Sequence, residues 1–179
     1  MDNSYQYRLS ANKKHQIAQN LINILEKDEA ITSETKRFIS DWILTPPNEK
    51  RKAFFDVWEI VLKNYLPSSR PILFRSFKGK LINGRISSFT GRIECAKRFS
   101  NGRGSLLICD TKETLKFDEK YGEPGGFRYS FYPIVDVLNK AKNDGGWGFS
   151  SMILNDHIGE DEYIMRIELN NMYHLKWRG

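Results

Sequence analysis

Hydrophobic residues in the first third of the chain recur at intervals of three and four, which is the spacing of amphipathic helices. Ser10 is a suitable N-cap for a first helix, which we expect to run to Lys27, and Thr32 or Ser33 can cap a second. The apolar stripes of these two helices consist of Ile17, Leu21, Ile24 and Leu25 in the first and of Phe38, Ile39, Trp42 and Ile43 in the second. Such stripes are typical of helices that pack on a core.

A third helix is predicted after the proline pair at residues 46 and 47. Proline cannot continue the second helix, and Pro47 can open the third because its fixed φ suits a first helical position. The stripe of this helix consists of Phe54, Val57, Trp58, Val61 and Tyr65. We therefore predict a helical part over residues 1–66, with its aromatic rings in the core rather than in a ligand platform.

From residue 67 onward the pattern changes to short apolar runs separated by glycine-rich stretches such as 101–104 and 122–126. Residues 70–77 predict a buried strand in which Arg75 directly follows an apolar triplet, so that its guanidinium can point into a cleft. Residues 85–90 predict a second strand, with Ser88 and Thr90 on one face and Phe89 on the other. Two further strands are expected near residues 107 and 164.

The second strand runs directly into a predicted helix, in which Ile93, Ala96 and Phe99 fall at helical spacing. We expect Ala96 and Phe99 to turn inward. The sequence contains no internal repeat and no low-complexity linker. The pattern thus predicts a single α+β domain in which a helical N-terminal part packs on a split β core.

The composition fits one compact domain, since the 179 residues are 40% hydrophobic and 13% aromatic. No apolar run is long enough to span a bilayer and the N-terminus lacks a basic-then-apolar signal, so we expect a cytoplasmic protein without membrane contact. Cys95 and Cys109 have no metal-ligand spacing and are expected to be reduced core thiols. His15, His157 and His174 are scattered, and for His157 a structural role in a turn is favoured over catalysis.

The most informative segment is Gly-Glu-Asp-Glu-Tyr-Ile-Met, which places Glu160 and Glu162 at the start of an apolar run. In an extended segment residues i and i+2 point the same way, so these two carboxylates can converge on one ligand while Asp161 faces away. Such a pair suits chemistry in which one carboxylate holds a sugar hydroxyl and the other activates a nucleophile. The alternative is a solvated strand edge without chemistry.

Three segments together resemble the mono-ADP-ribosyltransferases that carry arginine, Ser-x-Ser/Thr and Glu-x-Glu motifs. The matching segments are Phe74-Arg75, Ser88-Phe89-Thr90 and Glu160-Asp161-Glu162, and residues 57–66 resemble the helix that leads into the family's arginine strand. The chain is similar to the small transferases of T-even bacteriophages, in which the hydroxyl motif precedes an Ala-x-x-Phe helix. Two positions depart from the pattern: Ser76 stands where many relatives have Gly, and Phe89 where a small or polar residue is usual.

The resemblance implies a helical part, residues 1–66, on a split and mostly antiparallel β core, residues 67–179, that binds NAD. It implies that Glu162 holds the 2′-hydroxyl of the nicotinamide-side ribose and that Glu160 orients and activates the acceptor. Arg75 would bind the pyrophosphate through its fork of N–H donors. Ser88 and Thr90 would hold the same ribose and brace Glu162. NAD is thus expected as a substrate, and the chemistry needs no metal.

The pattern of glycines in the sequence favours NAD as a substrate that is consumed over NAD as a redox carrier. The sequence contains no Gly-x-Gly-x-x-Gly motif between a strand and a helix, so a dehydrogenase-like dinucleotide fold is not supported. Residues 145–149 are expected to form a turn ahead of the acidic segment, and a lid is the alternative for them.

Two acceptor classes remain open. The Glu-x-Glu pair resembles that of the arginine-directed members, in which a carboxylate pairs with the substrate guanidinium, so a protein arginine is the leading acceptor. The net charge of +6 and the pI near 9.3 favour a nucleic acid, RNA or DNA, or a target that carries RNA. The basic residues around the expected cleft are Lys78, Lys80, Arg85, Arg92, Lys97, Arg98 and Arg103. A solvated basic face explains the same residues equally well.

A competing hypothesis from another class is a non-catalytic RNA-binding or inhibitor module that keeps the transferase shell. Residues 125–132 interleave aromatic rings with a basic residue, and such rings can stack on bases. For this segment a strand with alternate rings buried is the favoured interpretation.

Overall fold

The computed structural model describes residues 8–114 and 130–177, which form helices and a six-stranded antiparallel sheet. The predicted α+β class is confirmed. The helices are α1 (Ala11–Lys27), α2 (Ser33–Leu44), α3 (Lys52–Asn64), α4 (Ile93–Ser100) and α5 (Ile134–Asn143). The strands are β1 (Ile72–Phe77), β2 (Ile86–Thr90), β3 (Ser105–Asp110), β4 (Phe131–Pro133), β5 (Glu162–Arg166) and β6 (Tyr173–Lys176).

The helix starts follow the predicted caps, with one exception. The Ser10 side chain accepts a hydrogen bond from the Lys13 N–H at 3.2 Å, and Thr32 caps α2 in the same way. The prediction that Pro47 opens the third helix is wrong, because Pro47–Glu49 forms a separate 3-10 turn. Lys50 is extended after this turn, with its ammonium bonded to carbonyls at the end of α2, and α3 therefore begins only at Lys52.

The sheet has the strand order β4-β5-β2-β1-β3-β6, and every neighbouring pair is antiparallel. The pairing of β1 with β3 extends over the whole of both strands, from Ile72 opposite Asp110 to Phe77 opposite Ser105. In contrast, β1 and β2 share a single register pair, Phe74 opposite Thr90. The sheet thus consists of two three-stranded halves that meet at one narrow junction, and the space beside this junction is free for a cavity.

Two hydrophobic clusters lie on the sheet. The larger one joins the helical part to β2, β4 and β5, and the most deeply buried aromatic residues in it are Phe38, Trp42, Phe54, Trp58 and Tyr132. The smaller one includes Leu73, Phe89, Leu107, Cys109, Phe131, Met165 and Ile167. Cys95 and Cys109 are both buried and neither forms a disulfide, as predicted. The aromatic stripes of α2 and α3 are therefore core, which confirms the prediction for them.

Helix α4 buries only one of the two residues that were expected to turn inward. Ala96 is fully buried, but Phe99 is 57% exposed and Ile93 is 42% exposed, so the inward position predicted for Phe99 is wrong. The ring of Phe99 instead lies at the end of the helix over two hollows beside the sheet, with the Arg98 guanidinium 5.6 Å from its centroid. Packing of this short helix is carried by Cys95, Ala96 and Ser100.

Within the described ranges, no helix combines the length and the apolar content that crossing a membrane requires. The glycine-rich stretch at 122–126 and the aromatic residues at 127 and 129 lie outside the described residues. Residues 144–148 form the turn that was predicted ahead of the acidic segment.

The Tyr132 hydroxyl joins the helical part to the sheet, because it donates a hydrogen bond to the Leu21 carbonyl in α1 at 2.6 Å and is fully buried. Tyr132→Phe removes this bond and leaves the ring packed on Trp58 and Tyr65. We expect the free energy of unfolding to fall by about 1 kcal/mol, measured by urea denaturation. The matched control is Tyr173→Phe on β6, where the side chain is exposed and the change should stay within about 0.5 kcal/mol. Equal stability of wild type and Tyr132→Phe would contradict the assigned bond.

Candidate active site

A cavity of about 410 Å³ lies at the junction between β1 and β2. This volume is within the range of small-molecule sites. All five site residues predicted from the sequence line it: Arg75, Ser88, Thr90, Glu160 and Glu162. Its other walls come from the end of α2 with the connection to α3, from α4 and from the turn that precedes β5. The fold thus brings together three motifs that are far apart in the chain.

Glu162 is the most deeply enclosed charged residue of the cavity. It is the first residue of β5, where it pairs with Thr90 of β2, and only 8% of it is exposed. Its Oε2 accepts hydrogen bonds from the Trp42 indole at 3.0 Å and from the Ser88 hydroxyl at 2.5 Å. Its Oε1 lies 2.8 Å from Nε2 of His157. Donors from three separate segments therefore converge on one carboxylate.

These donors keep Glu162 ionised in spite of its burial. Burial raises the pKa of the carboxyl, because a charge loses its water in the interior, but the hydrogen bonds and charge of His157 and the hydrogen bonds of Ser88 and Trp42 outweigh that effect. The net result is that the pKa of Glu162 is lowered from its ordinary value. The cavity therefore contains a fixed negative charge at neutral pH.

His157 bridges the two glutamates. Its Nδ1 is 3.1 Å from Oε2 of Glu160, and its Nε2 is 2.8 Å from Oε1 of Glu162. Burial lowers the pKa of His157, but the two carboxylates outweigh burial and raise the pKa to about 9. The ring is thus an imidazolium at neutral pH and donates from both nitrogens. His157 is not among the site residues predicted from the sequence, which favoured a structural role in a turn.

The acidic segment is not extended, so the predicted geometry of the glutamate pair is wrong although the two side chains do share one cavity. His157–Glu160 forms a 3-10 turn, and Asp161 follows in the left-handed region with φ of 50°. The side-chain direction of Glu160 is thus set by this turn and not by the alternation of side chains along a strand. The turn directs the Glu160 carboxylate toward the His157 ring, which also contacts Glu162. The turn has a local cause in the sequence, because short polar side chains such as that of Asp161 tolerate left-handed dihedrals better than most residues do.

The end of β2 holds the acidic turn in place. The Thr90 hydroxyl donates to the Glu160 carbonyl at 2.6 Å, and the Gly91 N–H donates to the Asp161 carbonyl at 3.0 Å. A side chain at Gly91 would collide with the Asp161 carboxylate. Thr90 therefore acts on the backbone of the turn, whereas Ser88 reaches the Glu162 carboxylate itself.

Among the residues that the helical part contributes to the cavity, Trp42 and Lys50 lie closest to its chemistry, and neither was predicted as a site residue from the sequence. The Lys50 ammonium lies 3.7 Å from the centroid of the Trp42 ring and is bonded to the carbonyls of Trp42 and Thr45. Burial lowers the pKa of Lys50 to about 8, against the attraction of Glu162. The prediction that Trp42 belongs to the core is confirmed. A buried indole N–H usually has a hydrogen-bond partner, and this was the sequence signal that Trp42 could contact a polar group of the site.

Arg75 spans the narrow junction of the sheet. Its Nη1 donates to the Ser88 carbonyl at 2.7 Å, while its Nε is buried and has no hydrogen-bond partner. Burial and the neighbouring charge of Arg85 lower the pKa of Arg75, and Glu162 acts in the opposite direction. A guanidinium stays charged under such shifts, so the junction carries a cation beside the cavity.

A second hollow of about 380 Å³ adjoins the first and shares Arg75, Ser76 and Phe99 with it. Lys78, Lys80 and Arg85 also line it, so three of the seven basic residues singled out in the sequence lie here. Arg92 instead donates to the Gly159 carbonyl at 3.2 Å. Taken together, the two adjoining hollows are an elongated site: both glutamates lie in the first hollow, and, among the residues that the structure describes, the second is lined by basic side chains and by no carboxylate.

Comparison with protein-family models, with curated proteins and with solved structures finds no match for this chain. Within residues 8–114 and 130–177, no group of three His, Cys, Asp or Glu side chains is arranged to hold a metal ion.

The raised pKa of His157 makes the stability of the site depend on pH. A histidine whose folded pKa is about 9 and whose ordinary value is 6.5 contributes its full stability below pH 6.5 and loses it as pH rises through 9. We expect the difference in unfolding free energy between wild type and His157→Gln to shrink steadily between pH 6.5 and pH 9. Urea denaturation of both proteins at pH 6, 7.5 and 9 measures it. A difference that stays constant would show that His157 is not held as an imidazolium.

Proposed function

We propose that this protein is an NAD-dependent mono-ADP-ribosyltransferase that transfers ADP-ribose from NAD to a protein arginine and releases nicotinamide. The observation that carries the proposal is the ionised Glu162, which is buried in a cavity that also contains Glu160 and Arg75. The fold class and the resemblance of the three motifs support the same conclusion.

Glu162 suits the transition state of nicotinamide release. Breaking the bond between nicotinamide and ribose develops positive charge on the sugar, and a fixed carboxylate stabilises that charge. An ionised carboxylate has about four acceptor positions. Trp42, Ser88 and His157 take three of them, and the remaining one on Oε1 can accept the ribose 2′-hydroxyl. Because these three donors fix the carboxylate in advance, little reorganisation is needed during the reaction.

The elongated site fits a dinucleotide. NAD carries two phosphates between its two nucleosides, and Arg75 lies where the carboxylate end and the basic end of the site meet. Because Arg75 lines both hollows, its guanidinium can meet an anionic ligand at the place where they join. In this arrangement the nicotinamide-side ribose lies at Glu162, and the pyrophosphate lies at Arg75 with Lys78, Lys80 and Arg85 beyond it.

Glu160 suits contact with a macromolecular acceptor. Its side chain is 31% exposed, compared with 10% for Glu162, so it can be reached from solvent while the other carboxylate stays enclosed. A guanidinium that binds Glu160 is placed next to the reacting sugar carbon. The carboxylate can then take the proton that the attacking nitrogen must lose.

A nucleic acid acceptor is the second candidate, and the basic hollow is the observation that favours it. Lys78, Lys80 and Arg85 would attract a phosphate backbone next to the reacting end. A non-catalytic RNA-binding or inhibitor module has less support. Of the rings proposed to stack on bases, Phe131 and Tyr132 are fully buried, and the remaining two lie outside the described residues.

Replacement of the enclosed carboxylate tests the proposal. We expect Glu162→Gln to abolish both nicotinamide release and transfer of ADP-ribose, with a loss of about a hundredfold or more, since the stabilising charge is removed. Incubation with labelled NAD and a cell lysate measures transfer, and chromatography measures nicotinamide. The matched control is Glu94→Gln on α4, where the side chain is 74% exposed and activity should be unchanged. Wild-type turnover in a folded Glu162→Gln protein would refute the site.

Replacement of the exposed carboxylate tests the acceptor. Glu160→Gln should keep much of the slow hydrolysis of NAD, because Glu162 still supports departure of nicotinamide, but should lose transfer to a guanidinium acceptor. Both activities are measured on one preparation, and mass spectrometry identifies the labelled species. Joint loss of hydrolysis and transfer, or labelling of nucleic acid without labelling of protein, would overturn the arginine acceptor.

A further inference from the structure

His157 occupies the position that a cationic acceptor needs. Its ring is a planar cation whose two N–H groups point at two different carboxylates, at 3.1 Å from Glu160 and 2.8 Å from Glu162. An arginine guanidinium is likewise a planar cation with N–H donors on several sides. A guanidinium that reached Glu160 would therefore compete with the imidazolium for the same lone pairs.

The exposure of the three side chains shows from which side this competition takes place. Glu160 is 31% exposed, His157 is 16% exposed and Glu162 is 10% exposed. An incoming side chain meets Glu160 first, while His157 keeps its second hydrogen bond to the enclosed Glu162. The imidazolium can thus leave Glu160 without leaving the site.

We propose that His157 prevents Glu160 from activating water until a guanidinium acceptor takes the place of the imidazolium on that carboxylate. The inference rests on the proposed function and adds a residue that decides between transfer and hydrolysis. A carboxylate that accepts a hydrogen bond from a cation is a poorer acceptor for a proton of water. In the resting site, Glu160 is such a carboxylate.

The suppressed reaction is the hydrolysis of NAD. The oxygen of water forms a bond to the anomeric carbon of the ribose, and the carbon–nitrogen bond to nicotinamide breaks. The electron pair of that bond goes to the pyridine nitrogen, and one proton of the water goes to Glu160. The products are ADP-ribose, nicotinamide and a proton. In transfer, the guanidinium nitrogen takes the place of the water oxygen and loses its proton to the same carboxylate.

Substitution of His157 separates the two reactions. We expect His157→Gln to raise the ratio of NAD hydrolysis to transfer about tenfold or more, with agmatine as the acceptor, because Glu160 is released. The double variant H157Q/E160Q should hydrolyse NAD no faster than Glu160→Gln, since the released carboxylate is then absent. The matched control is His174→Gln on β6, where the ring lies against Phe77 and the ratio should not change. An unchanged ratio in His157→Gln, or faster hydrolysis in the double variant than in Glu160→Gln, would overturn the proposal.

A binding measurement tests the displacement of His157 without depending on catalysis. Agmatine is titrated into protein labelled with ¹⁵N-histidine, and we expect a saturable shift of the His157 ring resonances that is absent in Glu160→Gln. No shift in the wild type would overturn the proposal. A saturable shift in a protein that releases no nicotinamide from NAD would support the displacement of His157 while refuting the proposed reaction, so the two failures are distinguishable.

Discussion

The arrangement of the site depends on one constraint: the Glu162 carboxylate is charged and enclosed, and it must be hydrogen-bonded to stay so. The three partners come from different parts of the chain, namely the indole of Trp42 in α2, the hydroxyl of Ser88 in β2 and the imidazolium of His157 in the acidic turn. The acidic turn is itself held to the end of β2 by the Thr90 hydroxyl. The helical part is therefore a wall of the site and not an appendage to the β core.

The junction between β1 and β2 creates the space that this constraint requires. Full pairing of the two strands would close the sheet where the cavity now lies, but they share only the pair Phe74 and Thr90. Where β1 and β2 separate, Arg75 connects them by donating a hydrogen bond to the Ser88 carbonyl. One residue thus contributes structure to the sheet and charge to the cavity, and its unpaired Nε is the cost of placing a cation there.

Much of the fold could be predicted from the sequence, because the periods of the helices and strands are strong and the caps Ser10 and Thr32 are explicit. The five motif residues also converge on one cavity as expected. The sequence-based predictions that proved wrong did so for physical reasons. The left-handed dihedrals of Asp161 replaced the expected strand with a turn, and the extended backbone at Lys50 delayed the start of α3. The partnership of Trp42 with Glu162 spans 120 residues, and no local pattern encodes so distant a contact.

That distance has a consequence for the chain as it is synthesised. N-terminal segments emerge and begin to fold first, and contacts between distant residues form late. A nascent chain that has produced α2 and β2 has the donors of Trp42 and Ser88 but lacks the carboxylate that they bind. Fragments that end before β5, whether from interrupted translation or from proteolysis, lack the central charge altogether. A growing polypeptide therefore cannot assemble this cavity with its central charge until β5 has been made.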